Sequence, residues 1–103
     1  MASWTTTRWI EKLLETPIAD YRKNAVSLIL APYLINIKKL SYEDALDIIS
    51  NWMMGCGKVR QLDQNLKYIV KYAIKSSIKS GRKPLRFETL KLKNTALYDL
   101  LNS

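Results

Sequence analysis

The chain has 103 residues, of which 48% are hydrophobic and 10% aromatic, a composition typical of one folded domain rather than of a disordered segment. It contains no histidine and one cysteine, Cys56, which excludes an intrachain disulfide, a zinc site of four Cys or His ligands and catalysis by histidine. No apolar run reaches the roughly 20 residues of a membrane span. We therefore expect a single cytoplasmic domain over residues 1–103, without membrane attachment.

The formal net charge of +8 is confined to one part of the chain. Residues 1–57 hold equal numbers of acidic and basic side chains, whereas residues 58–103 carry the whole excess of positive charge. Solubility alone would not need such segregation. The pattern therefore indicates a dedicated cationic surface and a polyanionic partner.

The spacing of hydrophobic residues predicts an all-α fold, a compact bundle of five to six helices, with no alternating strand pattern. Thr6 or Thr7 is the expected N-cap of the first helix, and Thr16 before Pro17 is its expected end.

A second helix is predicted from Tyr21 to about Ile37, with Asp20 as its N-cap. This helix is apolar on nearly every face, so it is expected to lie at the centre of the bundle. Pro32 lacks a backbone N–H and predicts a kink or a break there.

Ser41 and Asp44 resemble a capping box at the start of a third helix, which Gly55 and Gly57 are expected to end.

A fourth helix is predicted over residues 64–80, with Asp63 as its cap and Gly81 as its end. Two short helices, over residues 87–92 and 94–101, are expected to complete the chain.

The clearest functional signal is a lysine every four residues along the fourth helix. Successive lysines step only about 40° around the helix, so they form a ridge, bordered by Tyr68 and Tyr72. Phosphates would neutralise these cations, and tyrosines beside them would stack on exposed bases, which predicts binding of single-stranded nucleic acid. The alternative is a solvated lysine-rich face with both tyrosines packed on the core. The predicted DNA-binding residues are Lys67, Lys71, Tyr72, Lys75, Lys79, Arg82, Lys83 and Arg86.

A second cationic cluster, Asp20-Tyr21-Arg22-Lys23, stands at the start of the second helix. A helix N-terminus with Arg and Lys beside it suits a triphosphate, because free N–H groups and two cations converge there. The alternative is that Asp20 is only a cap and that the two cations are exposed residues of the first turn.

Several other polar residues allow both a structural and a functional interpretation. Asn36 must find partners if it is buried, whether from the backbone or from a ligand, and Trp52 suits either the core or base stacking. The carboxylates of Glu43, Asp44 and Asp47 lie in the first turns of a helix, so capping explains them better than a catalytic metal site. We therefore predict no catalytic residues and no metal ligands.

Five segments of the chain, including Pro-Ile-x-Asp-x-Arg and Leu-Ala-Pro-Tyr-Leu-x-Asn, resemble a known family. They are residues 17–23, 30–36, 40–45, 49–52 and 88–98. They are similar to the helical C-terminal domain that accompanies archaeal primases, found in the non-catalytic X subunit of chromosomal primases and in primase-polymerases of archaeal plasmids.

The resemblance implies a non-catalytic helix bundle that is part of, or accessory to, a larger archaeal DNA primase; residues 1–3 are compatible with a remnant of cloning. It further implies binding of template DNA and of ATP or another nucleoside triphosphate, with or without Mg²⁺, before primer synthesis starts. The nucleotide-binding candidates by position are Asp20, Tyr21, Arg22, Lys23, Tyr33, Asn36 and Trp52.

The expected partners are single-stranded template, nucleoside triphosphates and a catalytic primase-polymerase domain, and we expect a monomer. Two alternatives stay open: a nucleic-acid-binding module without a nucleotide site, and a protein-interaction adaptor that docks on a catalytic primase subunit.

Overall fold

A helix that is apolar on nearly every face must be surrounded by other helices, and in this protein it is. The structure is a computed structural model that describes residues 2–18, 20–59 and 65–101, and of residues 2–7 and 59 the backbone alone. The described helices are α1 (Ala2–Leu14), α2 (residues 22–37), α3 (Tyr42–Val59), α4 (Leu66–Ser80), α5 (Phe87–Lys93) and α6 (Thr95–Leu101). These ranges contain no strand, so the predicted all-α class is confirmed.

The central helix α2 continues through Pro32 instead of breaking there. It starts as an α-helix (Arg22–Asn24) and widens into two π-helical stretches, Ala25–Leu30 and Tyr33–Ile37. The Ala31 N–H bonds to the Val26 carbonyl, five residues earlier, as in a π-helix. Of the predicted kink or break, the break does not occur, and Pro32 lies between the two π-helical stretches.

The carbonyls one turn before Pro32, one of which loses its helical donor, bond to the segment that follows α4. In an α-helix the residue at position 32 would donate to Leu28, and in a π-helix to Ser27. Instead, the Leu85 N–H donates to the Leu28 carbonyl over 3.2 Å, and Arg82 Nη2 donates to the Ser27 carbonyl over 3.0 Å. The linker between α4 and α5 is thereby held against α2.

The core lies where α1 and α4 pack on α2 and α3 packs on α4. From α4 it receives the predicted residues 66, 70, 73 and 77, together with Ile74. Gly81 ends α4 as predicted. It adopts the left-handed conformation (φ 68°), and its N–H bonds to the Ser77 carbonyl over 2.9 Å.

Two helix boundaries differ from their predictions. Helix α1 begins at Ala2, so Thr6 and Thr7 lie inside it rather than at its cap. Helix α3 runs through Gly55 and Gly57 to Val59. A glycine inside a helix costs about 1 kcal/mol relative to alanine, and burial of apolar side chains on this turn, including a fully buried Cys56, offsets that cost.

The N-caps of the helices agree only in part with those predicted from the sequence. Ser41 Oγ accepts from the Asp44 N–H over 3.2 Å at the start of α3, and Asn94 Oδ1 accepts from the Leu97 N–H over 3.0 Å at the start of α6. The N-cap of α2 is Tyr21, one residue after the predicted Asp20. The predicted cap Asp63 lies outside the described residues.

Asn36 is the polar residue of α2 that holds the end of α4. Its Nδ2 donates to the Ser77 carbonyl over 3.0 Å and to the Arg82 carbonyl. One amide group thus bonds both the last turn of α4 and the start of the linker.

We predict that Asn36→Asp lowers the free energy of unfolding by at least about 2 kcal/mol at pH 7, because a carboxylate would face two carbonyls that need a donor. Urea unfolding followed by circular dichroism measures this change. Asn51 is exposed on α3, so Asn51→Asp is the matched control and should shift stability by less than about 0.5 kcal/mol. Equal effects of the two substitutions would contradict the assigned role of Asn36.

Candidate nucleic-acid interface

Helix α4 presents a cationic face with two exposed aromatic rings. The lysine ridge (Lys67, Lys71, Lys75 and Lys79) is exposed throughout. Tyr68 and Tyr72 are 72% and 76% exposed, so they do not pack on the core as the alternative interpretation required. Because the opposite face of α4 is buried against α2 and α3, both residue types project from one side of the protein.

The positive charge of this face is not neutralised by ion pairs within the described part of the chain. Among the residues that the structure describes, no lysine of the ridge forms an ion pair; a described pair elsewhere joins Lys38 Nζ to Glu11 Oε2 over 3.2 Å. Like charges four residues apart weaken a helix by a few tenths of a kcal/mol per pair. Bound phosphates would remove this repulsion.

The linker residues predicted to bind DNA fall into two groups. Lys83 and Arg86 are exposed and extend the positive surface beyond α4. Arg82 is half-buried, with Nη1 bonded to Ser76 Oγ over 3.0 Å and Nη2 to the Ser27 carbonyl. Its guanidinium therefore holds the linker in place, and its planar set of donors suits that role.

The cluster at the start of α2 is divided between surface and interior. Asp20 and Lys23 are exposed and Tyr21 is 44% exposed, but Arg22 is buried. Arg22 Nε donates to the Ile18 carbonyl over 2.9 Å and Nη2 to the Cys56 carbonyl over 3.2 Å. Arg22 therefore ties the connection between α1 and α2 to helix α3.

Tyr21 turns the chain into α2 with a left-handed backbone (φ 64°, ψ 23°). Non-glycine residues adopt this conformation uncommonly.

The remaining nucleotide-binding candidates have protein partners. Trp52 is buried, and its Nε1 donates to the Leu13 carbonyl over 2.9 Å and to the Thr16 carbonyl over 3.2 Å. The hydroxyl of the buried Tyr33 donates to the Glu11 carboxylate. Trp52 and Arg22 thus both bond to the segment that joins α1 to α2 or to the end of α1. Tyr33 bonds to α1 and Asn36 bonds to the end of α4, so these two candidates lie elsewhere.

The pKa values of two side chains, Glu11 and Cys56, differ from their ordinary values. The hydrogen bond from Tyr33 lowers the pKa of Glu11 below its ordinary value, and Lys38 adds to this effect against a smaller opposing contribution from burial. Burial raises the pKa of the Cys56 thiol. A buried, protonated thiol is a poor nucleophile, so Cys56 contributes to packing rather than to chemistry.

A groove between α3 and α4 was not predicted from the sequence. It has a volume of about 430 Å³ and is lined by Leu46, Asp47, Ser50, Met53, Met54, Lys67, Val70 and Lys71. Met54 is 66% exposed, so its thioether is accessible to a ligand in the groove. The adjacent Met53 and Met54 are the feature of the sequence that could have indicated this groove. Only the packing of α3 on α4 shows that they lie opposite two lysines of the ridge.

Within the described ranges, no group of three or more His, Cys, Asp or Glu side chains is placed to hold a metal ion. None of the described helices combines the length and the apolar character that crossing a membrane requires.

The family model of Primase X matches residues 6–103. The chain belongs to the Primase X family. A search of curated proteins found no match. Membership confirms the resemblance of the helix bundle to the primase X subunit and assigns the chain to the primase-associated proteins. It also points to a catalytic primase as the partner of this Primase X protein.

We predict that Tyr33→Phe raises the pKa of Glu11 towards its ordinary value, because the phenolic donor to the carboxylate is lost. A depressed carboxyl pKa stabilises the fold above the pKa of the unfolded chain, and this stability is lost as the pH falls through the folded value. The variant should therefore lose less stability on acidification than the parent protein.

The pKa of Glu11 is measured by NMR titration of its side-chain carboxyl carbon. Tyr42 of α3 is partly buried, and Tyr42→Phe should leave the titration of Glu11 unchanged. An unaltered pKa of Glu11 in Tyr33→Phe would refute the assigned cause.

Proposed function

We propose that this Primase X protein binds single-stranded DNA along α4 and holds it as template for a catalytic primase subunit. The observation that carries the proposal is the exposure of Tyr68 and Tyr72, 72% and 76%, beside the lysine ridge. Aromatic rings next to a row of cations can bind bases and phosphates of one strand at the same time.

The dimensions of the ridge suit a short stretch of single strand. Four residues of α-helix rise about 6 Å, so Lys67 and Lys79 are about 18 Å apart along the helix axis. This length corresponds to the lower end of the site sizes of single-strand-binding folds, about 4–16 nucleotides. Lys83 and Arg86 would continue the contact past the end of α4.

The tyrosines favour a single strand over a duplex. Lysines alone bind the phosphates of either form, because that attraction does not depend on the bases. A ring stacks only on a base whose face is accessible, and in a duplex the faces of each base pair are covered by the stacked pairs above and below it. We therefore expect unpaired DNA to bind more tightly than duplex of equal length.

Nucleotide binding at the start of α2 stays a prediction. ATP or another nucleoside triphosphate, with or without Mg²⁺, would meet the exposed Lys23 there, but Arg22 would have to leave two backbone carbonyls to reach a phosphate. The observations thus favour template binding as the first function to test. If a nucleotide also binds and tightens DNA binding, DNA must tighten nucleotide binding by the same factor.

We predict that Lys75→Gln/Lys79→Gln reduces the salt dependence of single-strand binding. Each phosphate contact contributes about 0.7 to the slope of log K against log salt concentration, so the slope should decrease by about 1.4. Fluorescence anisotropy with a labelled oligothymidylate at several NaCl concentrations measures it.

The control is Lys12→Gln/Lys93→Gln, which removes the same charge from exposed positions on α1 and α5. It should change the slope much less. If both double substitutions reduce the slope equally, the ridge is not the binding surface. If neither the parent nor the variants bind DNA, the result favours the protein-interaction adaptor.

We predict that Tyr72→Leu weakens binding to oligothymidylate by about fivefold or more, because stacking on an aromatic ring contributes about 1–3 kcal/mol per base. Tyr72→Phe keeps the ring and should bind within about twofold of the parent. Since Tyr72 is 76% exposed, neither change should disturb the fold, which circular dichroism verifies. Indifference of single-strand affinity to Tyr72→Leu would exclude stacking at this position.

A further inference from the structure

We propose that the groove between α3 and α4 binds one unstacked base of the strand whose phosphates lie on Lys67 and Lys71. The inference rests on the proposed binding of single-stranded DNA and adds a second base subsite to it. The groove is distinct from the tyrosine pair and from the cluster at the start of α2.

The position of the groove follows from the order of residues around α4. Each residue is rotated by about 100° from the one before. Val70 on the groove floor is therefore followed around the helix by Lys67 and Lys71, and then by Tyr68 and Tyr72. The two lysines stand between the groove and the tyrosine rings, so a phosphate bound by them has a base-binding surface on either side.

The lining of the groove matches the chemistry of a nucleobase. Leu46, Met53, Met54 and Val70 supply apolar contacts, and thioether sulfur interacts favourably with aromatic rings. Asp47 and Ser50 provide polar groups for the edge of a base. The volume of about 430 Å³ lies within the range of about 300–1,000 Å³ that is usual for small-molecule sites.

The charge at the rim favours a nucleotide over an apolar protein segment. Lys67 and Lys71 line the groove together with one acid, Asp47, so the lining has a net positive charge, and neither lysine forms an ion pair with a described residue. A docking peptide would need acidic groups in register with both lysines, whereas every base of a DNA strand has a phosphate attached through its sugar. A single strand therefore satisfies the apolar floor and the cationic rim together.

The experiment uses the full chain with ¹³C-labelled methionine methyl groups, of which there are three. Two of them, in Met53 and Met54, line the groove. The protein is titrated with an oligothymidylate and with an abasic oligonucleotide of equal length. We expect the base-bearing strand to shift both groove methyls upfield through its ring currents, and the abasic strand to shift backbone amides of α4 but not these methyls.

Substitution of Met54 tests the energetic contribution of the groove without changing the charge. Met54→Ser should weaken binding of the base-bearing strand by about three- to tenfold and leave the affinity for the abasic strand unchanged. Met54→Leu keeps an apolar side chain and should bind within about twofold of the parent. Because Met54 is 66% exposed, both variants are expected to fold.

The outcomes separate this inference from the proposed function. If α4 amides respond to DNA while the groove methyls do not move, the groove is not a base subsite, although α4 still binds DNA. Equal methyl shifts with both oligonucleotides would also overturn the inference, since the contact would then need no base. If neither α4 nor the methyls respond, the proposed function fails as well.

Discussion

Pro32 lies in the middle of the central helix and has no N–H to donate to the preceding turn, and the linker after α4 makes its hydrogen bonds to α2 at the carbonyls of that turn. The carbonyls of Ser27 and Leu28 accept from Arg82 and from the Leu85 N–H, so the linker after α4 is bound to α2. Asn36 adds two further bonds to the same region. Buried carbonyls rarely stay without a donor, and here their satisfaction fixes the C-terminal end of α4.

Fixing α4 in this way determines which of its side chains face solvent. Once Leu66, Val70, Ala73 and Ser77 are buried, helical geometry directs the lysine ridge and both exposed tyrosines outward on one side. The packing of α3 then places an apolar groove beside two of those lysines. The part of the candidate interface on α3 and α4 is thus a consequence of core packing, and the linker after α4 adds Lys83 and Arg86 to it.

Two arginines, Arg22 and Arg82, have a different role from the lysines of the ridge. Arg22 and Arg82 bond to backbone carbonyls in the interior or at its edge, which suits a planar group with five donors. The lysines of the ridge remain in solvent, where a flexible ammonium can follow the phosphates of an irregular strand. Counting cations in a sequence would not distinguish the two, because both residue types contribute equally to the net charge.

The sequence by itself determined the helical class, the core face of α4, the end of that helix at Gly81 and the ridge, because these depend on residues three or four positions apart. It failed at Gly55 and Gly57, where burial of Cys56 outweighs the local preference. At Pro32 it could not show that Arg82, 55 residues after Ser27, and Leu85 supply donors to the preceding turn. Tertiary structure alone decided that Arg22, Asn36, Arg82 and Trp52 bond to backbone carbonyls and that α3 and α4 enclose a groove. The reason is physical: which polar groups remain available to a ligand depends on buried partners distant in the chain, and no local pattern encodes them.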